Sequence, residues 1–158
     1  MVLVGVVMPV AAQDVPSSLR GKWVVKRELP TFSISCWGEL EAKKFIGTEI
    51  EFTANSFRWN NTTTAHPKVT IEVLSAQQFH DENSGQGAES SQVSFRQLGI
   101  RAAQVTKITL DHPPANITGG TIEIPGDTVL LKDKNSIIIT VCNAYFEAQR
   151  IGVRARTQ

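Results

Sequence analysis

Glu49-Ile50-Glu51-Phe52-Thr53 alternates polar and apolar residues, Ala54-Asn55 turns the chain, and Ser56-Phe57-Arg58-Trp59-Asn60 alternates again. A period of two sends successive side chains to opposite faces, so this segment reads as a β-hairpin with one wet and one dry face. The pattern recurs on the C-terminal side. Lys68-Val69-Thr70-Ile71-Glu72-Val73 follows Pro67, and Lys107-Ile108-Thr109-Leu110-Asp111 runs up to the stop at Pro113-Pro114. Thr121-Ile122-Glu123-Ile124 follows Gly119-Gly120, and Thr128-Val129-Leu130-Leu131 follows the turn signal Pro125-Gly126-Asp127. Ile137-Ile138-Ile139-Thr140-Val141-Cys142 is β-branched and reads as a central strand. Asn143-Ala144 then turns the chain, and Tyr145 to Arg150 returns.

These segments, with short connections, predict a mainly β domain: an antiparallel up-and-down meander of about eight to nine strands that closes into a barrel. Alternation assigns Val25, Ile50, Phe52, Phe57, Trp59, Val69, Ile71, Ile108 and Leu110 to its interior. One or two short helices are expected. Trp37 to Ile46 lies between Ser35 and Gly47, a plausible cap pair, with Ala42, Phe45 and Ile46 on one face. Gln92 to Leu98, ended by Gly99, is a second candidate, and Asp81 to Ser91 reads as a polar loop.

The chain has 158 residues, one domain by the usual prior, and its 41% apolar content suffices for an ordinary core. Sixteen basic and fifteen acidic residues give a net charge of +1 without a basic run. That excludes the electrostatic footprint of a nucleic-acid binder and disfavours an anionic membrane surface as partner. The uncharged segment Met1 to Gln13 carries the apolar run Val2 to Met8, then Pro9 and the small residues Val10-Ala11-Ala12. It reads either as a secretory signal over residues 1–12, leaving 13–158 as the single domain, or as a buried first strand. The run is too short to cross a bilayer, so no transmembrane segment is expected.

Two cysteines, Cys36 and Cys142, stand far apart. In an oxidising compartment such a pair forms one disulfide; the alternative is two buried thiols. The bond would fasten the helix after Cys36 to the penultimate strand.

Gly21-Lys22-Trp23 opens the first strand-like run and Arg150 closes the last. Glycine permits close chain approach at a barrel mouth, and a tryptophan can plug the closed end. If the first and last strands are neighbours, Arg150 can lie over the Trp23 indole in a cation–π contact worth about 1–2 kcal/mol when desolvated. This arrangement resembles the lipocalins and their calycin relatives, which carry Gly-x-Trp on the first strand and a basic residue after the last. The resemblance rests on those positions, the strand count, the length and the export signal; the family's Thr-Asp-Tyr motif has no counterpart here. It implies that Gly21, Trp23 and Arg150 close the barrel and that a small apolar ligand occupies it, with Phe52, Phe57, Trp59 and Ile71 among the residues placed to meet it. Arg27 falls on the same face as Trp23 and Val25 by alternation. Buried there, it would require an anionic partner such as a ligand carboxylate; otherwise it is a strand-end residue reaching solvent.

No catalytic constellation emerges. His66, His80 and His112 lack metal-ligand spacing, and the serine-rich run from Ser84 to Ser94 has no nucleophile elbow. Glu49 and Glu51 share the wet strand face as solvated charge, and no phosphate loop or dinucleotide fingerprint indicates a cofactor. The expectation is a secreted or periplasmic non-enzymatic lipocalin-like protein that binds a small hydrophobic molecule. The alternative is an exported protein–protein interaction or inhibitor domain that uses loops such as Asn60 to His66 or Asp81 to Ser91.

Overall fold

The computed structural model describes residues 13–31, 35–83, 93–113 and 123–152. Their elements run, in order, β1 (Gly21–Glu28), α1 (Glu39–Phe45), β2 (Glu49–Phe52), β3 (Ser56–Trp59), β4 (Thr62–Ala65), β5 (Lys68–Ser75), α2 (Ala76–Asn83), β6 (Gln104–Asp111), β7 (Thr128–Leu131), β8 (Ser136–Val141) and β9 (Ala144–Arg150). The strands form one antiparallel sheet, ordered β4-β3-β2-β1-β9-β8-β7-β6-β5, that curls into a half-barrel.

That order is two meanders, β1 to β4 and β5 to β9, stitched together where β1 pairs with β9. The first and last strands therefore meet in the middle of the sheet. Its two ends, β4 and β5, are neighbours in sequence across His66-Pro67.

The concave face carries the larger core, which includes Trp23, Val25, Ile50, Phe52, Phe57, Ile108, Leu110, Val129, Ile139, Phe146 and Ala148. Most residues assigned to the interior by alternation are there. Trp59 is only partly buried and Ile71 is 38% exposed, because β3 lies next to one end of the sheet and β5 forms the other. Two connections fill the concavity. Val15 and Leu19 are buried below Trp23, whose indole N–H donates to the Leu19 carbonyl at 2.8 Å. The Pro125-Gly126-Asp127 turn is buried against β2. A Cβ on Gly126 (φ +102°) would lie 3.1 Å from Ile50 and 3.3 Å from the Phe52 ring, so this turn needs glycine.

A second core lies on the convex face, where Leu130, Ile138 and Tyr145, alternating with inward neighbours, are covered by Phe79 of α2 and by Val93, Phe95, Leu98 and Ile100. Sequence reading missed α2 because its Ala-Gln-Gln-Phe-His-Asp-Glu-Asn run buries only Phe79. The signal was a capping box. Ser75 Oγ accepts from the Gln78 amide at 3.2 Å, and Gln78 Oε1 accepts from the Ser75 amide at 2.9 Å. Ser94 and Gln97 repeat the box at 3.3 and 2.9 Å. There Gly99 (φ +67°) stops the chain after a single turn, so the expected helix over Gln92 to Leu98 is a turn over 95–99 in its described part.

Other expectations shift as well. α1 is shorter than the span from Trp37 to Ile46, and its N-cap, Gly38, offers no side-chain cap; Ala42 and Phe45 are buried, whereas Ile46, at the C-cap, is 41% exposed. The segment Asn60 to His66, expected as a loop, contains β4, a short threonine-rich end strand without apolar alternation. Glu123 and Ile124 are not in a strand; Thr121 and Ile122, like residues 1–12 and most of the loop Asp81 to Ser91, lie outside the described residues.

Candidate functional site

Cys36 and Cys142 form a disulfide with their Cα atoms 5.3 Å apart. Cys142 and Asn143 (φ 53° and 60°) are the two central residues of the β8–β9 turn, since Val141 pairs with Ala144. Positive φ at both positions suits the twist of a two-residue hairpin. The turn is held from both sides. Its Cys142 carbonyl accepts from the Cys36 amide at 3.2 Å and from Ser35 Oγ at 2.9 Å, while the Cys142 amide donates to the Glu123 carboxylate. This anchors α1 over one end of the half-barrel. Phe45 sits there at the centre of an aromatic cluster, with ring centroids 4.8 Å from Phe146, 5.5 Å from Trp37 and 6.0 Å from Trp59.

Arg150 closes the opposite end. Its guanidinium lies 4.1 Å from the Trp23 ring centroid and donates to the carbonyls of Arg20 at 2.5 Å, Ser18 at 2.6 Å and Lys134 at 3.1 Å. Gly21 (φ +119°) makes room: a Cβ there would stand 3.0 Å from Arg150 Nη1.

The residues expected to meet a ligand do not form one cluster. Phe52 and Phe57 stack with centroids 6.2 Å apart in the buried core. Trp59 joins Phe45, and its indole N–H donates to Thr48 Oγ1 at 3.4 Å. Ile71 faces Ile108 across the β5–β6 pair, at the open end of the sheet. Arg27 is on the other face altogether. The register of β1 on β9 jumps between Val25, opposite Ala148, and Arg27, opposite Glu147. This bulge inserts Lys26 and turns Arg27 outward, which single-sequence alternation could not show.

Arg27 there meets an acidic partner. Its Nε and Nη2 donate to Glu147 Oε2 at 2.9 and 2.6 Å, and Lys132 Nζ donates to Glu147 Oε1 at 3.3 Å. Glu147 is 7% exposed, so one buried carboxylate is shared by two cations. Beside them opens a cavity of about 510 Å³ lined by Arg27, Gly99, Arg101, Ala102, Lys132 and Asp133.

His112 also departs from expectation. A histidine directly before Pro113-Pro114 is expected in an exposed turn, yet the His112 side chain is only 5% exposed and its Nε2 lies 3.3 Å from Asp127 Oδ2. Burial raises the Asp127 carboxyl above its ordinary value against the opposing pull of the Ile124 amide and His112. A cavity of about 190 Å³ beside this pair is lined by Asp111, Glu123, Asp127 and neighbouring β6 and β7 residues.

The disulfide fits an oxidising compartment, and no helix among the described residues is long and apolar enough to cross a membrane. No protein-family model matches this chain, and neither a curated protein nor a solved structure does.

Proposed function

We propose that the protein is a non-enzymatic binding protein of lipocalin-like design, secreted or periplasmic, that takes a small apolar ligand at the open side of its half-barrel. The observation carrying this reading is the exposure of Ile71 (38%) and Val73 (55%), which alternate with buried Val69 along the concave side of β5. Their cross-strand partners are the fully buried Ile108 and the half-buried Thr106. Apolar side chains running from a core out to an unpaired end strand favour an apolar occupant. A ligand lying between β4 and β5 covers both residues and rests on the core beneath. Export is supported by the Cys36–Cys142 bond and by the apolar, uncharged run at residues 1–12.

The test is titration with Nile red, an uncharged dye that brightens in apolar surroundings, with a long-chain alcohol as competitor. Saturable binding that the alcohol displaces, and that Val73→Lys weakens about tenfold, is the expected result. A dye signal that does not saturate, or one indifferent to Val73→Lys, overturns the reading.

A second reading has its own observation. β5 is eight residues long and ends the sheet, and such a strand can pair with an extended peptide from a partner protein. Retention of β5 amide exchange in the dye complex, with protection only on adding a protein partner, would favour that alternative.

A further inference from the structure

We propose that the convex-face cavity walled by Arg27, Arg101 and Lys132 is a second binding site, which takes a small molecule through an oxyanion group, a carboxylate or a phosphate. Three of the six lining residues are cationic and one, Asp133, is acidic. Glu147 beneath supplies one further negative charge for the two cations it holds, leaving one positive charge in excess. The other cavities are different. The one lined by Lys22, Glu49, Glu51, Arg58 and Asn60 is balanced, with Arg58 already 2.7 Å from Glu51, and the one beside His112 is acidic.

The cations are positioned rather than loose. Lys132 is held by Glu147, with its side chain only 17% exposed, and its ammonium lies against Gly99. A Cβ at Gly99 would stand 3.0 Å from Lys132 Nζ, so this glycine permits the approach as well as the turn. The turn itself is fixed by Phe95, Leu98 and Ile100, buried in the convex-face core. Arg101 follows directly and is exposed, with no ion pair or hydrogen bond among the described residues. Its planar fork is therefore available, and that geometry matches carboxylate or phosphate oxygens through two parallel bonds. Asp133 does not neutralise it: Asp133 Oδ1 accepts from the Asn135 amide at 2.8 Å within the β7–β8 loop. The buried Glu147 sets two cations at the cavity wall, and Arg101 supplies the hand that closes on the anion.

The experiment is a backbone-amide NMR titration of the full chain at low ionic strength, with inorganic phosphate and succinate in separate arms. Saturable shifts confined to Gly99, Arg101, Ala102, Lys132 and Asp133 are expected for at least one anion. The two arms distinguish a phosphate from a carboxylate ligand. Arg101→Gln, at an exposed position, should keep the spectrum of the rest of the fold and weaken binding at least tenfold. Arg101→Lys should recover part of the loss. No saturation by about 10 mM of either anion, shifts scattered over surface lysines, or binding unchanged in Arg101→Gln would each overturn the proposal.

Discussion

The Arg150 guanidinium stacks on the Trp23 indole across the β1–β9 pair, 4.1 Å from its centroid and in register with it. The same group ties down the segment from Ser18 to Arg20 and the β7–β8 loop through three backbone carbonyls. One side chain thus joins the start of the sheet, its last strand and a loop of the second meander.

Arg150→Ala should lower stability by about 2–3 kcal/mol, combining the cation–π contact with the carbonyl bonds. Gly21→Ala should cost about 1–3 kcal/mol, from its φ of +119° and the 3.0 Å approach to Arg150. The two share a contact, so urea unfolding of the double variant should show a smaller loss than the sum by about 1 kcal/mol. Strict additivity would mean that the arginine moves freely away from a Cβ.

Removing the disulfide by Cys36→Ser with Cys142→Ser should cost about 2–4 kcal/mol, as expected for a bond closing so long a loop. Reductant should lower the melting temperature of the parent protein and leave the double variant unchanged. The Trp37 environment should report the release of α1, seen as a red shift in tryptophan emission.

Alkaline pH should destabilise the fold through Tyr145. Burial pushes its phenol from 10.0 up to about 12. The unfolded chain ionises first, so Tyr145's contribution is intact below pH 10 and is lost as pH rises toward 12. Tyr145→Phe loses the hydrogen bond to Asn83 Oδ1 (3.1 Å) and is the less stable protein at neutral pH. Its deficit should shrink between pH 10 and 12, measured as the denaturation midpoint against pH.

Val73→Lys should leave stability within about 0.5 kcal/mol, because that side chain is exposed. A lysine on an end strand also opposes strand-to-strand association. Sedimentation at high protein concentration should show less self-association than in the parent chain. A large stability loss would instead place Val73 in a contact that its exposure does not suggest.

The mainly β fold was legible because its strands alternate over a filled core: Ile50, Phe52, Phe57, Ile108 and Leu110 all fall where a period of two puts them. The Trp23–Arg150 and Cys36–Cys142 pairs were legible because each couples residues with a restricted set of partners. What was hidden depends on single insertions and on a second layer. Lys26 shifts the register and moves Arg27 to the opposite face, so its carboxylate partner is Glu147. The convex-face core was hidden because α2 and the turn over 95–99 contribute few apolar residues each. Their two Ser-x-x-Gln capping boxes were the readable sign. His112 looked like a turn residue because its burial comes from Asp127 and Phe57, both distant in sequence.

The β1–β9 seam also sets an order on folding. The pair at the middle of the sheet joins the first strand to the last, so the meander β1 to β4 has no neighbour in the sheet until β9 exists. Contacts of such long sequence separation form late and slowly. A nascent chain halted anywhere before Tyr145 would leave Trp23 and Val25 without their last-strand partners. Completion of the sheet therefore waits until β9 has been synthesised and can dock between β1 and β8.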